Sequence, residues 1–270
     1  MNAPDRQVGG LVLRETLEPG LVRLTLNRPN AFNALSESML TALQAELDAI
    51  ANDPTIRVVT LTGCGKAFCA GHDLKEMRAA SSDDSSVGYY KALFAQCSRM
   101  MLTLQKMPQP VIAQVHGVAT AVGCQLVAMA DLAVASSETR FAVSGINYGL
   151  FCSTPSVGLS RNLLRKQAME MLLTGDFIDA HQAKDKGLVN AVVAPDDLAQ
   201  STMDLARKIM AKPEAAVRMG KQLFYAQLET GVEQAYEMAG QTMACNMMED
   251  CALEGVQAFI EKRPPSWRAL

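Results

Sequence analysis

The residues of this 270-residue chain best suited to chemistry sit close together in Cys69-Ala70-Gly71-His72-Asp73, where a thiol, an imidazole and a carboxylate flank two small residues. Cys-x-x-His is half of a zinc site. Nothing completes it: the seven cysteines, Cys64, Cys69, Cys97, Cys124, Cys152, Cys245 and Cys251, contain no C-x-x-C pair, so no metal is expected. Gly63-Cys64-Gly65 lacks the third glycine of a dinucleotide fingerprint, and no Gly-x-x-x-x-Gly-Lys run leads into Lys66. A G-x-S-x-G nucleophile elbow is absent too. What remains is backbone chemistry, because Ala70 and Gly71 are small enough to let a turn close onto a ligand.

Elements of an α/β protein surround that turn. Val22, Leu24 and Leu26 alternate with Arg23 and Thr25, the period of a half-buried strand that Asn27-Arg28-Pro29-Asn30 stops. Ser36 is suited to cap a helix whose Leu40, Leu43, Leu47 and Ile50 share one face. Val58 to Leu61 and Val111 to Val115 read as buried strands. An apolar helix over about Ala119 to Met129 follows, then a strand at Leu132 to Ala135. From about Pro155 the pattern becomes helical, over Leu163 to Leu173, Asp179 to Lys186, Pro195 to Met210, Pro213 to Glu229 and Gly231 to Glu261, with one strand at Val189 to Val193. Ala79 to Val87, with four serines and two aspartates, reads as a surface loop.

Bulk composition narrows the class of partner. A hydrophobic content of 49% allows a large core, and 25 basic against 28 acidic residues leave a net charge of −3 with no basic half, which disfavours nucleic acid. Gln125 and Asp131 break the most membrane-like stretch, Gly117 to Ala135. Met1 to Gly10 lacks the apolar run of a secretory signal, and with the odd cysteine count this predicts reduced thiols in a cytoplasmic protein.

Read in order, several segments resemble the enoyl-CoA hydratase/isomerase family, the crotonase superfamily. They are Leu24-Thr25-Leu26-Asn27-Arg28-Pro29, Lys66-Ala67-Phe68-Cys69-Ala70-Gly71-His72-Asp73-Leu74-Lys75, Pro110-Val111-Ile112-Ala113, Gly123-Cys124-Gln125-Leu126, Ala183-Lys184-Asp185-Lys186-Gly187-Leu188-Val189 and Glu254 to Arg263. The resemblance implies a spiral of strand-strand-helix repeats over residues 1–200 that binds acyl-CoA. It also implies a C-terminal helical region over 201–270 that makes trimers, or hexamers as pairs of trimers. The thioester carbonyl would sit between the backbone N–H groups of His72 and Val122, an oxyanion hole for an enolate. Arg28, Ala70, His72, Asp73, Leu74 and Lys75 would line the CoA body, with Phe259 and Lys262 reaching the adenine end of a neighbouring subunit's ligand. The CoA thioester is substrate, and no other cofactor, nucleic acid or membrane is implied.

The likeness breaks at the chemistry. The two glutamates by which the family's hydratases hold and deprotonate water match Gln125 and Gly145 here. An amide orients water without taking its proton, and glycine offers no side chain. Cys152 lies in the loop after the Phe141 strand, and the Ala-Gly-His-Asp sequence is similar to that of methylmalonyl-CoA decarboxylase relatives. Three readings are therefore open: a hydratase- or isomerase-type enzyme of fatty-acid or related CoA metabolism, an acyl-CoA decarboxylase using His72, and a catalytically silent acyl-CoA binder.

Overall fold

The computed structural model of the chain describes residues 9–80 and 86–268. β1 (Val12–Glu18) and β2 (Leu21–Leu26) pair antiparallel about Gly20, whose φ of +84° suits a residue without a Cβ. α1 (Glu37–Ala51) starts at Ser36, whose hydroxyl accepts from the Met39 N–H. β3 (Val58–Gly63), α2 (Leu74–Ala79) and α3 (Ser86–Lys106) follow, then β4 (Val111–Val115), β5 (Val118–Thr120) and α4 (Val122–Met129). Next come β6 (Leu132–Ser136), β7 (Arg140–Ala142), α5 (Ser153–Asn162), α6 (Arg165–Thr174), β8 (Ile178–Asp179), α7 (Ala180–Asp185) and β9 (Ala191–Val193). Four helices close the chain: α8 (Leu198–Met210), α9 (Glu214–Gln227), α10 (Val232–Met247) and α11 (Asp250–Ile260).

The main sheet runs β1-β2-β3-β4-β6-β9, parallel from β2 onward. Its pleat divides the apolar residues between two layers. Leu21, Val58, Ile112 and Val134 face α8 through Leu198 and Ala206, while Val22, Leu24, Leu26, Val59, Leu61 and Ala113 join the larger core with α1, α3 and α4. A second sheet, β5-β7-β8, is extended by a parallel bridge between Cys69 and Ala119. The repeat is thus strand, strand, helix: β3 with the Cys69 bridge and α3, β4-β5-α4, and β6-β7-α5.

Three expectations need correction. α4 begins at Val122 because Val118–Thr120 is spent pairing with β7, and Ala121 breaks the path with φ 49° and ψ −118°. The 200/201 division falls inside α8, whose Leu198, Thr202 and Ala206 are buried and which packs on β3, β4 and β6. The helices outside that layer begin with α9. Of the Ser/Asp-rich stretch, residues 81–85 lie outside the described residues, while Ala79 closes α2 and Ser86–Val87 opens α3.

Candidate active site

Two chain crossings build the site. Asn33, fully buried, donates its amide to the carbonyls of Cys64 (2.9 Å) and Ala67 (2.7 Å) and accepts from the Arg28 N–H, fixing the 28–33 loop against the strand end. The following segment then pairs on both sides: Leu35 N–H donates to Gly71 O and Asp73 N–H to Leu35 O, while Cys69 N–H donates to Val118 O and Thr120 N–H to Cys69 O. Gly71, at φ +109°, rests so close to α4's start that an added Cβ would lie 3.1 Å from the Ala121 Cβ. Gly123 is tighter still, its would-be Cβ 2.1 Å from Cys69 O.

The two crossings approach at Gly71 and Ala121, and the residue after each keeps a backbone donor unengaged among the described residues. The backbone N–H groups of His72 and Val122 make no hydrogen bond among the described residues, whereas Asp73 N–H donates to Leu35 O and Ala121 N–H to Ala142 O. Val122 is the first residue of α4, so its N–H belongs to the unpaired, positive end of a helix. A carbonyl oxygen reaching both donors would gain stabilisation as negative charge develops on it.

Side chains around the donors are polar but neutral. His72 sets its ring edge-on to Phe94 of α3 at 5.6 Å, and neither ring nitrogen completes a hydrogen bond among the described residues. Burial pushes its pKa below the ordinary 6.5, against a weaker opposite pull from the Leu35 backbone, so the ring is uncharged at neutral pH. Gln125, one turn along α4 from Val122, is 4% exposed, and its Oε1 is buried without a partner among the described residues. Cys69, Cys97 and Cys124 have pKa values pushed up to about 12 by burial, and burial raises Cys152 despite the Gly145 backbone. These thiols are poor nucleophiles at neutral pH.

Gly145 and Cys152 come to the same place through β7, since Ala121 N–H donates to Ala142 O and a 3-10 turn over Ser144–Tyr148 follows. The chain has closed over position 145. A Cβ there would lie 2.6 Å from Leu150 O and 2.8 Å from Cys152 Sγ. Gly145→Glu is therefore expected to cost about 1–3 kcal/mol in urea unfolding, because a backbone carbonyl must move. An unchanged midpoint would show that the loop opens freely.

The remaining sequence-predicted residues divide into two groups. Arg28 pairs with Asp73 at 2.6 Å and donates to Ala34 O, and Asp73 also caps α2 through the N–H groups of Lys75 and Glu76. Burial works against the Asp73 charge, but Arg28 and those amides outweigh it and hold the carboxyl below its usual range. Both side chains thus shape the loop beside the donors, with Ala70 half-buried and Leu74 and Lys75 exposed along it. Phe259, 84% exposed, and Lys262 lie at the end of α11, which packs on α10. Sequence reading did not single out Phe94, which meets the His72 ring edge-on, or Tyr90, whose ring stacks on Phe94 at 6.4 Å.

Comparison with known proteins agrees with this architecture. Residues 16–269 match the family model described as Enoyl-CoA hydratase/isomerase. Over 250 residues the chain is 43% identical to enoyl-CoA hydratase domain-containing protein 3, mitochondrial, of Xenopus laevis, covering 93% of this chain and 84% of that protein. The Homo sapiens protein of the same name is 42% identical over 250 residues, with 92% and 80% covered. Among solved structures, an enoyl-CoA hydratase of Mycobacterium smegmatis superposes with a TM-score of 0.92 at 60% identity, covering 96% of this chain and 99% of that one. Human enoyl-CoA hydratase domain-containing protein 3 does so with a TM-score of 0.89 at 40% identity, covering 95% and 99%. These relatives overturn the cytoplasmic placement read from the N-terminus: those of Xenopus and human are mitochondrial by name.

Proposed function

The chain belongs to the enoyl-CoA hydratase/isomerase family, and from that premise we propose that it is an acyl-CoA thioester enzyme whose chemistry proceeds through an enolate. The observation that carries this reading is the pair of unengaged N–H groups of His72 and Val122. The thioester oxygen accepts from both. As the α-carbon loses a group as an electrophile, the electron pair moves through the carbonyl onto that oxygen, where fixed donors stabilise it without reorganising. The Arg28–Asp73 pair holds the loop along which the CoA body runs, past Ala70, Leu74 and Lys75.

Ordinary two-carboxylate hydration is not part of the proposal. Gln125 has no proton-accepting group at neutral pH, and at 145 both the carboxylate and the room for one are missing. We propose assembly into trimers, because α10 buries none of its residues within the chain and leaves Val232, Tyr236 and Met243 each at least 70% exposed.

The test is mass spectrometry of enoyl-, malonyl-type and saturated CoA thioesters incubated with the purified protein. A thioester converted by this chain, with no comparable gain of water on enoyl-CoA, is the expected result. Loss of carbon dioxide would assign the enolate to decarboxylation. Rapid hydration would overturn the argument from the missing carboxylates, and unchanged thioesters with saturable binding would leave a silent binder.

A further inference from the structure

We infer that the cleft between the α8–α9 turn and α11 is a second ligand site, one that takes a nucleoside diphosphate with its phosphates on Arg57, Lys212 and Arg218 and its base on Trp267. The cleft has a volume of about 1180 Å³, ample for a ligand of that size. None of His72, Val122, Arg28, Phe259 and Lys262 lines it.

The chain after α11 builds the platform. The Glu254 carboxylate accepts from both terminal nitrogens of Arg263, at 2.6 and 2.9 Å, and from the Ser266 N–H at 2.8 Å, which folds the segment back along the helix. Trp267 is thereby set against Gly255. An added Cβ at Gly255 would lie 2.7 Å from Trp267 Cη2 and equally far, 3.6 Å, from Cζ2 and Cζ3. Those distances put Gly255 in the ring plane, so the contact takes the edge of the indole and leaves both faces uncovered. The half-buried ring lines this cleft and also a smaller, apolar one of about 350 Å³. A fixed indole with an open face is a surface on which a planar base stacks.

Charge divides the cleft into two walls, and the division selects the ligand. On the α8–α9 side stand Arg57, Lys208, Lys212 and Arg218. Arg57 is fixed by donating from Nη2 to Lys212 O at 2.8 Å, and its nearest carboxylate, Glu214, is 4.0 Å from its Nε. Lys208, Lys212 and Arg218 form no ion pair among the described residues. Glu214 shares this wall, but it opens α9, where the positive end of the helix offsets its charge. On the α11 side stand Glu249, Asp250 and Trp267. A bare polyanion would be repelled by that second wall, whereas a nucleoside diphosphate is anionic at one end only. Its phosphates meet guanidinium forks suited to bidentate contact, and the carboxylates accept from its sugar hydroxyls.

The experiment follows the fluorescence of Trp267, the single tryptophan of the chain, as the full chain is titrated with ADP, adenosine, pyrophosphate and CoA. ADP is expected to quench it saturably and to bind about tenfold or more tighter than adenosine or pyrophosphate, because stacking and phosphate contacts add. Lys212→Ala/Arg218→Ala, at two exposed positions, should weaken ADP about tenfold and leave adenosine unchanged. Trp267→Ala, followed by calorimetry, should weaken ADP about tenfold and leave pyrophosphate unchanged. Displacement of bound ADP by CoA would make the nucleotide half of CoA the source of the ligand, and absence of displacement a free nucleotide. The inference is overturned by any of three results: no quenching by millimolar ADP, ADP binding no tighter than pyrophosphate, or ADP affinity indifferent to the double substitution.

Discussion

Replacing Val122 by proline is expected to lower turnover of the thioester this chain converts by about 100- to 1,000-fold, the usual cost of one oxyanion-hole donor. The substitution removes a single N–H that no acceptor among the described residues uses. It falls at the first position of α4, where proline's fixed φ is compatible with the helix and no intrahelical hydrogen bond is lost. The residue before it is the obstacle, because Ala121 already sits at φ 49° and ψ −118°, a conformation glycine adopts without strain. The comparison is therefore Ala121→Gly against Ala121→Gly/Val122→Pro, with circular dichroism to establish that both fold. The loss should appear in kcat with KM little changed, because the interaction strengthens only as charge reaches the oxygen. If kcat is the same in both proteins, the two converging donors are not the catalytic feature and the proposed function loses its main support.

How much of this was legible beforehand depends on what kind of signal each element carries. β2, β3, β4 and α1 announce themselves because leucine, valine and isoleucine mark their buried faces at the right period. α3 did not, although Leu93, Cys97, Met100, Met101 and Leu104 follow a clean helical spacing. Cysteine and methionine carry that face, and a serine-rich stretch leads into it. β5 and β7, three residues each, are too short for periodicity and exist through pairing with each other and with the 69–71 segment. The donors themselves are backbone atoms, invisible to any count of side-chain types. The small residues Gly71 and Gly123 were their trace, since each lets one chain crossing approach the other. Position 145 could be read as a missing carboxylate, but only the folded loop shows that the space is occupied as well.

The largest stability effect is expected at a position no sequence signal marked. Lys221 is the buried residue of α9, and its ammonium donates to Leu104 O (2.7 Å), Gln109 O (2.8 Å) and Asp131 Oδ2 (2.7 Å). Asp131 in turn accepts from the Val111 N–H and the Tyr225 hydroxyl. With side chains only 6% and 13% exposed, burial pushes each group toward its neutral form, and their mutual attraction opposes that. This one cluster joins α9 to the end of α3 and to the strands beside it. Lys221→Met should cost about 3–5 kcal/mol in urea unfolding at fixed protein concentration, because it strands a buried carboxylate. Without Lys221 the Asp131 pKa rises further above its ordinary 3.8. A raised carboxyl pKa leaves stability intact below the unfolded value and removes it as pH climbs through the folded one. The deficit should therefore be smaller at pH 4.5 than at pH 7.5, and Lys221→Met/Asp131→Asn should recover part of it at the higher pH. A single-variant cost below about 1 kcal/mol, or one independent of pH, would mean that α9 is held by its apolar contacts with α3 and α10 rather than by the ion pair.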